Sequence, residues 1–257
     1  MGAAPNAALA IVQLPLVHER QQFQIMRELM TGAIEEFARM KATIVGGHSI
    51  EGERLLAGFT VMGNQVISPK TKGHLEVGDL LVLSKPIGSG VLLAALMQCQ
   101  LDGNHYQSLV DSMLQSNQVA LSLAQSNDIS AMTDVTGFGL AGHLKEMLVA
   151  SNKSAKLNLD AIPLLPGSAA MIEDGIESTL APENRLILND LACEGFDMHD
   201  RKVASLFDPQ TGGGLLFGAK AGSIEETLSF LKDEGFEDAC VIGEVTETQQ
   251  SPSLTVS

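Results

Sequence analysis

Positive charge is scarce in this sequence. Its 257 residues include 16 Lys and Arg against 31 Asp and Glu, a formal net charge of −15. Nucleic-acid phosphates and anionic membrane surfaces both attract clustered basic residues. The composition therefore argues against a nucleic-acid partner and against a membrane partner. It still allows a phosphate ligand, because Mg²⁺ can bridge carboxylates to phosphates.

Cysteine and long apolar runs are scarce too. Cys99, Cys193 and Cys240 are far apart and form no CxxC pair, which predicts reduced thiols rather than a disulfide framework. The pattern leaves the roles of these cysteines open. No apolar run reaches the roughly 18 residues of a membrane span, and no signal-peptide pattern opens the sequence. We therefore expect a cytoplasmic protein.

Two common signatures of chemistry are missing as well. No GxxxxGK[ST] phosphate-binding loop occurs. The histidines have no metal-ligand spacing such as HxxxH, and we expect His143 to have a structural role. What the sequence does contain is 45% apolar and only 18% charged residues. That composition excludes a disordered chain and predicts a substantial core.

Apolar periodicity predicts an alternation of strands and helices. Strands are expected at 7–12, 42–45, 55–66, 80–83, 129–133, 156–159, 215–219 and 240–245. Helices are expected at 19–40, 90–98, 105–126, 140–150, 167–174 and 223–234. Ser223 and Glu226 form a predicted capping box for the last helix. Residues 176–206 have no readable pattern, the last dozen residues resemble a tail, and the polar stretch 68–78 is the expected domain boundary.

The most informative segment is Thr133-Asp134-Val135-Thr136-Gly137-Phe138-Gly139-Leu140. A carboxylate follows a short strand, and two glycines precede a helix whose first N–H groups are unpaired. With Mg²⁺ between them, Asp134 and a phosphate would attract each other. The alternative is a simple turn in which Asp134 or Thr136 caps the helix.

Three further glycine-containing segments allow two interpretations each. Gly46-Gly47-His48-Ser49 follows a strand and either contacts a phosphate or forms a tight turn. In 85–90, Lys85 either meets a phosphate or is solvated, while the following glycines start a helix. In 208–214, the three glycines form either an anion-binding nest or a turn that leads into a strand.

Together these segments resemble selenophosphate synthetase (selenide, water dikinase), within the group that includes aminoimidazole ribonucleotide synthetase. The resemblance rests on 46–50, 83–90, 133–140 and 208–211, which occur in the family's order and at similar separations over nearly the whole chain. Gly212 departs slightly, since the family more often has Ser there.

The resemblance implies an α+β fold of two mixed αβ halves. Residues 1–68 would be a partial, barrel-forming domain for ATP binding and dimerisation, and 79–257 a complete synthetase domain with a mixed sheet flanked by helices. The implied reaction converts ATP, selenide and water to selenophosphate, AMP and phosphate. Gly46, Gly47, His48 and Ser49 match a nucleotide-binding loop, Asp134 matches a Mg²⁺ ligand, and a homodimer is implied.

One departure from the family is large. The family's nucleophilic Cys or selenocysteine, its neighbouring Lys and several Asp ligands have no match in this chain, so no catalytic residue is assigned. We expect an N-terminally truncated enzyme or the C-terminal part of a fusion, inactive as it stands. The alternatives are a non-catalytic dimerisation or regulatory module, or a related synthetase or kinase with another substrate.

Overall fold

A computed structural model of the chain describes residues 2–189, 191–197 and 199–257. It consists of two compact units, residues 2–69 and 70–257. Both contain strands and helices, and this confirms the predicted mixed α+β class. No helix within the described ranges is long and apolar enough to cross a membrane.

The N-terminal unit is a three-stranded sheet with one helix. Its elements are β1 (Ala3–Pro15), α1 (Glu19–Arg39), β2 (Thr43–Gly52) and β3 (Leu56–Gln65). β1 is central, parallel to β2 and antiparallel to β3. Side chains alternate across β1, so Ala8 and Val12 are buried while Ile11 is exposed. Phe37 of α1 contacts Phe59 of β3 at a ring distance of 5.4 Å.

The C-terminal unit is larger and contains the main core. Its described elements are β4 (Asp79–Leu83), α2 (Ser89–Met97), α3 (Gly103–Leu114), α4 (Ala120–Gln125), β5 (Ile129–Asp134), α5 (Gly139–Ser151), β6 (Ser154–Leu157), α6 (Ser168–Glu173), α7 (Ala181–Asn184), β7 (Ala192–Glu194), α8 (Arg201–Ser205), β8 (Leu215–Lys220), α9 (Ile224–Asp233), β9 (Cys240–Thr246) and β10 (Ser253–Val256).

Among the described residues, the strands of this unit form a seven-stranded mixed sheet in the order β5-β8-β4-β9-β6-β10-β7. β4 lies between β8 and β9 and is antiparallel to both. Large buried clusters lie on the sheet, with Leu83, Leu144 and Leu216 in one and Phe217 in another. The apolar strands are therefore covered by helices packed against them.

Several sequence-based boundaries are wrong. The predicted helix at 105–126 is two helices, α3 and α4, separated at Gln115 and Ser116. The predicted tail contains β10, whose Leu254 and Val256 are buried between β6 and β7. The Ser223 hydroxyl donates to the Lys220 carbonyl and makes no cap hydrogen bond to α9, so the capping box is not formed.

Candidate functional site

The informative segment around Asp134 contacts the glycine-rich turn before β8. The Val135 N–H donates to the Gly214 carbonyl at 2.8 Å, and the Gln210 N–H donates to the Thr136 carbonyl at 2.9 Å. These bonds hold 134–136 against 210–214 on both sides. The position of Asp134 thus depends on a segment far away in sequence.

The same turn caps the start of α2. The Gln210 side-chain oxygen accepts from the Gly88 and Ser89 N–H groups at 2.9 and 3.2 Å, and Asp208 Oδ2 accepts from the Gly90 N–H at 3.0 Å. Gly88 has φ +119°, a conformation that favours glycine. These first N–H groups of α2 are therefore bound by the protein itself rather than presented to a phosphate.

Lys85 is buried, which corrects the expectation that it is solvated. Only 1% of it is exposed. Its Nζ donates to the carbonyls of Ser112, Gln115 and Gly212 at 3.1, 2.5 and 2.9 Å. Burial lowers its pKa from an ordinary 10.5 to about 8. Three N–H donors meet three acceptors, so Lys85 ties the glycine-rich turn to the end of α3.

The glycine-rich turn does not form an anion-binding nest. The Thr211 N–H donates to Ser89 Oγ and the Leu215 N–H to Ser84 Oγ, each at 2.8 Å. Gly213 faces the Val135 carbonyl so closely that an added Cβ would lie 2.2 Å from its oxygen. The glycines are there because backbone packs on backbone, which is the structural alternative for 208–214.

Asp134 is the last residue of β5, and its side chain is exposed. α5 begins five residues later at Gly139, which has φ +69° and lies against the backbone of 206–208. The Gly139 N–H donates to the Thr136 carbonyl and the Ala141 N–H to the Leu206 carbonyl. The strand end thus presents a free-standing carboxylate, while these two N–H groups of α5 are already bonded.

His143 is buried directly behind this segment. Its Nε2 lies 3.0 Å from the Thr136 hydroxyl, and its Nδ1 lies 3.1 Å from Glu146 Oε2. Burial, with a smaller contribution from Lys72, lowers its pKa, while Glu146 and Asp134 act in the opposite direction. At neutral pH the ring is therefore uncharged, and it orients the Thr136 side chain.

Gly46, Gly47, His48 and Ser49 lie in the N-terminal unit, whereas Asp134 lies in the C-terminal unit. The predicted strand end at 45 is wrong, because β2 continues to Gly52 and pairs these four residues with 9–12 of β1. An added Cβ on Gly47 would lie 1.9 Å from the Ala10 carbonyl oxygen. All four residues line an open cavity of about 520 Å³ that also contacts Met26 and Met30 of α1.

The carboxylate of Asp134 fits Mg²⁺ only as part of a shared site. Within the described residues, no group of three or more His, Cys, Asp or Glu side chains could hold a metal ion. Mg²⁺ commonly binds one or two carboxylates and takes its remaining oxygens from phosphates and water. Asp134 can supply one of those oxygens.

Sequence reasoning missed the network that supports this carboxylate. Asp208 and Gln210 were treated as part of a turn, although both are buried and both cap α2. The one available signal was the separation of polar residues by apolar ones on both sides of the glycines, which indicates a buried turn. No local pattern identifies α2 as the partner, since it lies about 120 residues away.

The comparisons with known proteins agree with this geometry. Residues 76–253 match the family model described as AIR synthase related protein, C-terminal domain. The chain resembles two solved structures at this level of fold. One is thiamine-monophosphate kinase from Stenotrophomonas maltophilia (TM-score 0.70, 20% identity, 99% of this chain and 73% of that one). The other is the hydrogenase maturation protein HypE in complex with ATP (TM-score 0.67, 18% identity, 96% and 67%). The fold class is therefore that of the AIR synthase-related proteins.

Curated relatives define the family more narrowly. The chain is 33% identical to selenide, water dikinase of Pseudomonas straminea over 249 residues, 95% of this chain and 68% of the relative. It is 33% identical to the Burkholderia pseudomallei protein of that name over 253 residues, 96% of this chain and 70% of the relative. The chain belongs to the selenide, water dikinase family, a family of phosphotransferases.

Proposed function

We propose that this chain forms the larger part of an enzyme that makes selenophosphate, AMP and phosphate from ATP, selenide and water. The 33% identity over 95% of the chain to a protein named selenide, water dikinase carries this proposal. The similar HypE structure was solved in complex with ATP, which supports ATP as the nucleotide. Residues 208–211, whose side chains cap α2, favour selenide over the substrates of the related synthetases and kinases.

In this proposal Gly46, Gly47, His48 and Ser49 bind the nucleotide. The open cavity beside them supports this role, because it is lined by glycine backbone and by the His48 and Ser49 side chains. Glycines allow a phosphate to approach the backbone closely. His48 and Ser49 are exposed and therefore accessible to a ligand.

Asp134 supplies a carboxylate oxygen for Mg²⁺ in the same proposal. When bound, the ion would neutralise phosphate charge during phosphoryl transfer. The chain's own contribution is to hold the carboxylate at a fixed strand end, through the bonds from Val135 and Gln210. Thr136, oriented by His143, is the adjacent hydroxyl.

Assembly into a homodimer belongs to the proposal as well. On the sheet face opposite α1, apolar side chains of all three strands are exposed, among them Leu9, Ile11, Ile50 and Leu56. Exposed apolar sheets recruit a covering partner, and a second copy supplies a matching face. We further propose the cytoplasm as the compartment, which the three free cysteines support.

The isolated chain is expected to make no selenophosphate. By the family resemblance, the nucleophile, its neighbouring lysine and most metal-binding carboxylates have no counterpart in its 257 residues. One carboxylate is too little for tight Mg²⁺ binding. We therefore expect weak Mg-ATP binding by calorimetry, and tight binding that survives Asp134→Ala would remove Asp134 from the site.

A chimera tests the function directly. The part of the Pseudomonas straminea relative that precedes its match to this chain is joined ahead of Gly2, and AMP and selenophosphate are followed by phosphorus NMR. The chimera should release AMP only when selenide is present, whereas the chain alone should release none. Asp134→Asn in the chimera should lower the rate by about 10²-fold or more, because a charge contact to the phosphates is lost.

Asp128→Asn is the matched control, since Asp128 precedes the same strand and its carboxylate is about half exposed. Its rate should stay within about twofold of the parent, as expected for a surface side chain. A folded, dimeric chimera without selenide-dependent AMP would favour the non-catalytic module. AMP production by the 257-residue chain alone would show that its own residues carry the chemistry.

A further inference from the structure

A cavity of about 500 Å³ lies in the C-terminal unit away from Asp134. Helices α2, α6 and α8 and the segment from α7 onward form its walls. Val91, Ile172, Ile176, Ala181 and Ala204 supply an apolar lining. This volume is in the range of pockets that bind small molecules.

Asp208 is the unusual residue of this cavity. It is 3% exposed, and although its Oδ2 accepts hydrogen bonds from Gly90 and Gln210, its Oδ1 has no hydrogen-bond partner among the described residues. Burial raises its pKa from 3.8 to about 6, against the effect of its hydrogen bonds. At neutral pH the cavity therefore contains a largely ionised carboxylate with one oxygen unused.

The other charged side chains of the cavity compensate one another. Arg185 forms an ion pair with Glu177, and Arg201 forms one with Glu173. These pairs connect the two walls of the cavity. Asp208 is left as the one carboxylate without a cationic partner among the described lining residues, with His199 as the remaining titratable side chain. A buried charge without a partner is costly, so a cation that enters would be favoured.

A second unused atom complements the first. Arg185 Nε is buried and has no hydrogen-bond partner among the described residues, although the same guanidinium pairs with Glu177. The cavity thus offers a negative acceptor at Asp208, an apolar middle and a donor at Arg185. A molecule that satisfies all three has an ammonium group, a short hydrocarbon body and a hydrogen-bond acceptor.

We propose that this cavity is a binding site for a small organic ammonium ion, held by Asp208 Oδ1 and by apolar contacts with Val91, Ile172 and Ile176. The site contains neither Asp134 nor residues 46–49. It is therefore separate from the proposed nucleotide and metal residues, and its failure would leave the proposed function unaffected.

The test is a titration of the full chain with n-butylammonium chloride at pH 7.5, followed by methyl NMR of valine and isoleucine. The methyl signals of Val91, Ile172 and Ile176 should shift in a saturable way. Butan-1-ol, the neutral molecule of the same size, should shift them at least about tenfold less effectively. That difference corresponds to about 1.4 kcal/mol.

Two variants identify the groups involved. Asp208→Asn keeps the acceptor that caps α2 and removes the charge, so it should weaken butylammonium binding at least about tenfold. Ala204→Leu fills the cavity and keeps the carboxylate, so it should also abolish the shifts even if Asp208→Asn does not fold. Equal responses to butan-1-ol and butylammonium, shifts only outside the cavity, or unchanged binding in Ala204→Leu would each overturn the proposal.

Discussion

The two units differ in how completely they bury their sheets. In the C-terminal unit, four of the five residues of β4 and five of the six of β8 are buried. In the N-terminal unit, β2 and β3 contain no buried residue, and the buried cluster is built on Ala8, Phe37 and Ala42. Both sheets are rich in apolar residues, so composition alone does not explain the difference.

The cause is the number of covering elements. One helix lies against the three-stranded sheet, whereas several helices pack on the seven-stranded sheet. A three-stranded sheet with one helix is near the lower limit of independent stability. The C-terminal unit has its own core, and the N-terminal unit depends on a further surface to cover its exposed face.

The largest effect should come from the core of the C-terminal unit. Leu144 on α5 is fully buried, so Leu144→Ala should lower the free energy of unfolding by about 2–5 kcal/mol, through lost burial and the cavity left behind. Urea unfolding followed by circular dichroism measures this loss. Val149→Ala, on the same helix but 55% exposed, should change stability by less than about 0.5 kcal/mol. Equal losses in the two variants would contradict a self-sufficient core around α5.

The next effect should come from the exposed face of the N-terminal unit. Ile11 lies on the central strand and is 52% exposed. In a dimer formed through this face, Ile11→Lys would bury a charge and should weaken association at least about a hundredfold. Light scattering at micromolar concentration should find the parent chain as a dimer or larger species and the variant as a monomer.

Ile34→Lys is the control for this experiment, because Ile34 is similarly exposed but lies on α1. It should leave association unchanged. A monomeric parent chain, or equal dissociation in both variants, would show that the sheet face is not the interface.

The smallest effect concerns pH and Lys85. Its pKa is about 8 in the folded chain and about 10.5 when exposed. Between these values the unfolded chain binds a proton that the folded chain does not, so the contribution of Lys85 to stability rises with pH. The rise should be about 1–3 kcal/mol, since each unit of pKa corresponds to about 1.4 kcal/mol and the three carbonyl acceptors counteract burial.

Urea unfolding at pH 7.5 and pH 10 measures this rise. It should be absent in Lys85→Met, which keeps the length of the side chain. Lys41→Met removes a lysine that is exposed and should keep the rise. Parallel pH profiles of the parent and Lys85→Met would show that Lys85 has an ordinary pKa.

Local patterns predicted the strands and helices whose neighbours in sequence determine them. α1 and β8 follow directly from apolar periodicity, and so does the strand that ends at Asp134. The four residues Ser253–Val256 alternate polar and apolar, but the segment is short, and its burial depends on β6 and β7. It was therefore predicted as a tail.

The candidate site shows the same limit. The strand end at Asp134 and the glycines before α5 are readable in sequence, because both are local features. The burial of Lys85 and the role of Gln210 depend on contacts across more than 100 residues. A lysine after a strand is usually solvated, and only the three carbonyls around Nζ reverse that expectation.

The place of β4 in the sheet has a consequence for biosynthesis. Its partner β8 follows roughly 130 residues later in the chain, so both pairing edges of this apolar strand wait for sequence that has not yet been made. At common rates of about 5–20 residues per second, that wait lasts roughly 7–27 seconds on the ribosome. During this time β4 is an open, apolar strand, and nascent chains of this protein are expected to be clients of chaperones that hold such segments apart.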